Sequence, residues 1–214
     1  MCGRCCINRE DILMSPQAVF KAAQALQMTP HDFVKLYCDC YLGSTSRMPI
    51  VRLMPRGSIK RCPLLKNRKC MIHDAKPAVC AMFPLGRAIR IDKKDAEKDK
   101  LPPMKVEYII NDIDCGDNSE THTVKGWLES FGIPLNDEYF IEWQKTISLL
   151  SPRIQKLEKM LSDEVCDKLI DVLFIKLYLD YDMKADFFPQ FVENAGDCVK
   201  MVKMVLALPN EEAV

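Results

Sequence analysis

"CPLLKNRKCMIHDAKPAVCAMFP", residues 62–84, sets three cysteines at unequal spacing among prolines and basic side chains. From Ser44 to about Arg90 the pattern stays short and irregular. "PIVRLMP" (49–55) and "GRAIRI" (86–91) read as strands, with cysteine-bearing loops between them. Such a segment buries too little apolar surface to hold itself together. Bound metal would supply what its core lacks.

The chain has 214 residues and eleven cysteines. Nine of them (Cys2, Cys5, Cys6, Cys38, Cys40, Cys62, Cys70, Cys80, Cys115) fall in the first 115 residues. Cys166 and Cys198 sit in apolar helical patterns, where a cysteine behaves as a small hydrophobe. No stretch approaches the roughly 18–20 apolar residues of a membrane helix. The start shows no basic region followed by an apolar run, so the expected compartment is the cytoplasm and no membrane partner is expected. A reducing cytosol disfavours a disulfide framework, and an odd count leaves one thiol unpaired. Metal ligation fits best.

Composition is that of a folded protein, 48% hydrophobic and 28% charged. The zero net charge conceals an asymmetry. Residues 47–90 carry eleven Lys/Arg against the single acid Asp74; from Ile91 onward 15 basic residues face 25 acidic ones. Either the acidic part docks on the basic part, or the positive charge serves the cysteines. It would lower thiol pKa, offset an anionic cluster, or receive an acidic peptide or protein. Nucleic acid is not expected as a partner, because Phe83 is the one Phe, Tyr or Trp between Arg47 and Arg90.

Flanking segments are helical. "MSPQAVFKAAQALQ" (14–27) starts with a Ser15 cap, Pro16 at the first turn and a Met14–Val19 staple. "MTPHDFVKLYCDCYLG" (28–43) repeats the device with Thr29, Pro30 and Asp32, and is expected to run to Gly43. Cys38 and Cys40 would then point to different faces near a helix end, which makes them weaker ligand candidates. "DKKDAEKDKLPP" (92–103) reads as a solvated loop and "MKVEYIIND" (104–112) as a strand. Beyond Cys115 come a helix capped by Thr121 and ended by Gly132, then one presenting Tyr139, Phe140, Trp143, Ile147 and Leu150 on one face. Residues 163–181 are apolar nearly all round and read as a central buried helix, with one or two more helices to Leu206. The expected fold is mainly α, with a small irregular α+β cysteine-rich metal-binding region and few short strands. Residues 1–118 form the cysteine-cluster region, and 119–214 a helical region packed on it as one unit.

The pieces "CGRCC" (2–6), "CPLL" (62–65) and "CMIHDAKPAVCAMFP" (70–84) together resemble the YkgJ-type cysteine-cluster family, described as a zinc- or iron-chelating domain. A cysteine ahead of a "T-V-x-x-W-L" helix, here in "DCGDNSETHTVKGWL", extends the likeness to about residue 145. The resemblance implies metal ligation by Cys2, Cys5, Cys6, Cys62, Cys70, Cys80 and Cys115. His73 stands where the family usually has Tyr, Lys76 where it has Arg and Ala81 where Arg is common. His73 is either a further ligand or a packing histidine. The family tends to carry one more cysteine three residues before the position of Cys2; either this chain dispenses with it or its start lies upstream.

Adjacent Cys5 and Cys6 are expected to project in different directions. That suits two neighbouring metals, or an iron–sulfur cluster, better than one tetrahedral zinc. The expected cofactor is therefore an iron–sulfur cluster or iron, with zinc as the alternative, in a metal-binding protein of unassigned reaction. The competing reading is a peptide- or protein-modifying enzyme that depends on a metal cluster, because the family domain is also seen in flagellin lysine N-methylases. Against it, the sequence has no glycine-rich S-adenosylmethionine loop, no C-x3-C-x2-C and no catalytic triad. His122 reads as a first-turn helix residue or an acid–base group.

Overall fold

Two proline-initiated helices open the architecture. In the computed structural model, which describes residues 4–91, 103–111 and 119–208, α1 is Pro16–Ala25 and α2 is Pro30–Tyr37. Ser15 Oγ accepts from the Ala18 amide at 3.3 Å, and Thr29 Oγ1 from the Asp32 amide at 3.1 Å, satisfying donors the first turns leave free. Helix α2 stops earlier than the sequence suggests. At Cys38 the chain turns extended and forms β2 (Cys38–Leu42), which pairs along β3 (Pro49–Leu53). Strand β1 (Leu13–Met14) lies on the other side of β3, so the antiparallel order is β1-β3-β2.

The irregular stretch follows. A hairpin of β4 (Leu65–Lys66) and β5 (Lys69–Cys70) turns at Asn67 and Arg68, whose φ values of 50° and 59° are the left-handed pair a two-residue hairpin favours. A short 3₁₀ turn (His73–Ala75) and the four-residue α3 (Ala78–Ala81) lead into β6 (Leu85–Ile91), which pairs with β7 (Met104–Ile110). Both strands were expected from the sequence. The charged loop expected at 92–103 falls almost wholly outside the described residues.

The rest is helical: α4 (Val124–Glu129), α5 (Glu138–Leu157), α6 (Asp163–Phe174) and α7 (Phe187–Ala207). The cap of α4 is Thr123, which accepts from the Gly126 amide at 3.1 Å, rather than Thr121. Helix α6 continues as a π turn over Ile175–Leu179. It buries Leu169, Leu173, Leu177 and Tyr178 but leaves Val165, Val172 and Ile175 exposed, so one face meets solvent where burial all round was expected. A single helix, α7, completes the chain's described part. The fold is mainly α with a small α+β region. Among the described residues, no helix is long and apolar enough to cross a membrane.

One cluster of buried side chains runs from Ile12 and Phe33 through Val51, Leu64 and Ile72 to Leu150, Phe191 and Val202. Its cysteine-bearing segment contributes Leu64 and Ile72, which tie the hairpin to the helices. Ion pairs add to this. Arg47 meets Glu158 at 2.7 Å, and Arg87 meets Asp137 at 2.6 Å with both side chains about nine-tenths buried. Arg52 pairs with Asp39, Lys60 with Glu10 and Arg90 with Glu107. Much of the basic stretch is therefore neutralised by acids elsewhere in the chain, two of them in the helical part.

Candidate metal centre

Backbone hydrogen bonds bring the distant cysteines together. The N-terminal segment lies along residues 59–62: Asn8 N donates to Ile59 O at 3.0 Å, and Cys62 N to Cys6 O at 2.8 Å. Met71 N donates to Leu64 O at 2.9 Å, folding the hairpin back so that Cys70 stands opposite Leu65. Pro77 begins the turn into α3, where Cys80 N donates to Pro77 O at 2.8 Å. Cys5, Cys6, Cys62, Cys70 and Cys80 consequently line one cavity of about 240 Å³. Leu53, Leu64, Ile72 and Phe83 form much of its apolar wall; Arg9, Arg68, Lys76 and His73 also line it. Among the described residues no carboxylate does.

All five thiols are free. Burial, with the neighbouring Cys5, Cys62 and Cys80, pushes the Cys6 thiol up to about 12. Burial likewise raises Cys80 to about 12, reinforced by Cys62 and opposed by Arg9, whose charge favours the thiolate. Burial raises Cys62 too, while the backbone at Leu64 and Leu65 pulls the other way. Backbone N–H groups aimed at a cysteine sulfur stabilise negative charge there, as a metal-binding thiolate requires. Arg9 is held for its role by Asp11 at 2.6 Å and lies over the Phe83 ring.

Two expectations about geometry change. Cys5 and Cys6 do not diverge: in the 3₁₀ turn Arg4–Cys6 their sulfurs approach to 3.9 Å. Two ligands of one tetrahedral ion with bonds near 2.3 Å stand about 3.8 Å apart, so adjacency does not prevent a shared metal. Cys38 and Cys40 lie on a strand rather than a helix end, so they share a face instead of pointing apart. They oppose Leu53 and Val51 across the ladder, and neither lines the cavity.

Cys2 and Cys115 fall outside the described residues. Among the described residues no three cysteine, histidine or carboxylate side chains close to coordination distance of a common point. The thiols instead surround a space well above the roughly 30 Å³ one water occupies. Donor chemistry fits a thiophilic metal: several sulfurs and cations to offset them. His122 precedes the α4 cap, exposed and 3.2 Å from Glu120, and does not line the cavity. His73 in the same wall has a buried Nδ1 with no hydrogen-bond partner. The departure from the family's usual Tyr drew attention to that residue in the sequence but could not show its burial.

Free thiols on short turns thus line one shared cavity. Residues 1–104 match the family model CxxCxxCC, described as a "putative zinc- or iron-chelating domain", which agrees with the resemblance to the YkgJ type. No curated protein and no solved structure matches the chain.

Proposed function

We propose that the chain binds iron as an iron–sulfur or other polynuclear centre. Cys5, Cys6, Cys62, Cys70 and Cys80 are its ligands, and Cys2 and Cys115 complete the set. The carrying observation is that five thiols line one cavity, more than the four a single tetrahedral ion takes. Bound there, iron supplies electron transfer or Lewis acidity. The chain's own residues prepare the thiolates: the backbone at Leu64 and Leu65 for Cys62, and Arg9 for Cys80. With Cys6 and Cys80 raised to about 12, metal must displace their protons at neutral pH, so uptake strengthens as pH rises. Arg68 and Lys76, at the same cavity, are the side chains on which an acidic peptide would be received.

The test is metal and acid-labile sulfide analysis of protein purified without oxygen and without a metal-binding tag. Iron with sulfide supports the reading; zinc without sulfide replaces iron with a structural clasp; no metal removes the centre. Serine at Cys62, Cys70 or Cys80 is expected to cost metal and solubility, whereas Cys166→Ser retains both. Equal metal content in all four variants overturns the ligand assignment.

A further inference from the structure

We infer that His73 is a ligand of the same centre through Nδ1, making it a mixed sulfur–nitrogen site. The inference rests on the metal reading above and adds a residue that the family resemblance places as Tyr.

Three observations carry it. First, the side chain lines the cavity shared by the five cysteines. Second, its Nδ1 is buried and has no hydrogen-bond partner. Leaving a buried polar nitrogen unsatisfied is costly, and a coordinate bond to metal removes that cost. Third, the local chain fixes its place. Ile72, almost fully buried, anchors the segment in the core, and the Ala75 amide donating to Ile72 O at 3.0 Å closes the turn that carries His73. Cys70 and His73 are thus three residues apart on one hairpin-to-turn junction, the spacing by which short metal knuckles present two ligands. Imidazole is a ligand that both zinc and iron accept, so the inference holds for either metal.

The chain's other two histidines supply internal controls. His31 is exposed in the first turn of α2, beside Asp32 at 3.7 Å, and His122 is exposed beside Glu120. Neither lines the cavity.

The experiment uses the full chain labelled with ¹⁵N-histidine, reduced and loaded with zinc or, separately, with iron. In the zinc-loaded protein, long-range ¹H–¹⁵N spectra are expected to show the His73 Nδ1 resonance move on loading while those of His31 and His122 stay in place. In the iron-loaded protein, pulsed EPR is expected to show nitrogen coupling that changes between ¹⁴N and ¹⁵N samples. His73→Tyr, the family's own residue, is expected to lose that coupling and to weaken metal affinity at least about tenfold. A packing role would move neither signal. Metal bound with no shift at His73 and no nitrogen coupling overturns the inference and leaves the cysteine centre standing. Coupling that survives in His73→Tyr assigns the nitrogen elsewhere and overturns it as well. A wild-type chain that takes up neither metal overturns both readings. The wild-type spectra decide the matter even if the variant fails to fold.

Discussion

The stretch from Arg56 to Pro84 and the helices from α5 to α7 solve the same problem by different means. In the helices, stability comes from interdigitated side chains. Tyr139, Phe187 and Phe191 pack edge-on or stacked with centroids 5.1–5.7 Å apart, and Leu150, Ile154, Leu173 and Val202 are sealed from solvent. The cysteine stretch has Leu64, Leu65, Ile72, Ala81 and Met82 in its place, two-residue strands, and left-handed backbone at Lys60, Asn67 and Arg68. At roughly 1.5–3 kcal/mol per fully buried large apolar side chain, the helices draw more stability from burial than the loops do. Where the chain repeats a local pattern it builds a core; where the cysteines sit, turns leave fewer large side chains to bury.

That contrast can be broken in order of expected effect. Removing metal with a chelator should open amide exchange across residues 56–83 by orders of magnitude, while α5 and α7 stay protected. Uniform protection with and without chelator would show that the loops need no metal. Next comes the Arg87–Asp137 pair, which joins β6 to the start of α5, where Asp137 also accepts from the Phe140 amide at 3.0 Å and Arg87 lies 3.8 Å from the Phe140 ring centre. Arg87→Ala strands a nearly buried carboxylate and should cost about 3–5 kcal/mol in denaturant unfolding, without changing metal content. A loss under about 1 kcal/mol would mean that water already screens the pair.

The third probe sharpens the contrast from the helical side. Burial raises Cys198 to about 12, and it also raises the phenols of Tyr139, Tyr178 and Tyr181. The folded chain therefore keeps protons that the unfolded chain releases above about pH 9 for the thiol and about pH 10 for the phenols. Stability is fully present below those values and falls as pH rises through them, by roughly 1.4 kcal/mol per pH unit from Cys198 alone between about 9 and 12. Melting of metal-free protein from pH 8 to 11 should show this, with a shallower slope in Cys198→Ala. A profile that stays flat would place these groups in contact with water.

What was legible in the sequence follows the same division. The caps of α1 and α2 are local, set by Ser15, Thr29 and the prolines beside them, and the structure has them as written. β2 was not legible: "CDCYL" carries no alternation, and what ends α2 at Tyr37 is pairing with β3, residues away in sequence. Thr121 and Thr123 are equivalent as caps on paper. Trp127, whose Nε1 donates to Met82 O at 3.0 Å, ties α4 to the cysteine segment in the register that uses Thr123. The apolar circumference of α6 was misread because three of its aliphatic side chains face solvent. At the site, residue types revealed the cysteines and motif resemblance their grouping. The convergence of the Cys5 and Cys6 sulfurs and the orphaned nitrogen of His73 depend on turns that no periodicity encodes.

The hydrogen bond from Cys62 N to Cys6 O also dictates an order of events during synthesis. Cys5 and Cys6 leave the ribosome well ahead of the residues that enclose them, because about seventy residues separate Cys6 from Cys80. At about 5–20 residues per second, those first thiols spend roughly 4–15 seconds without a cavity around them. Helices α1 and α2 emerge in that interval with their caps already encoded, whereas the later helices that share their core follow Cys80. The earliest-made side chains of the cavity thus wait longest for the segments that enclose them.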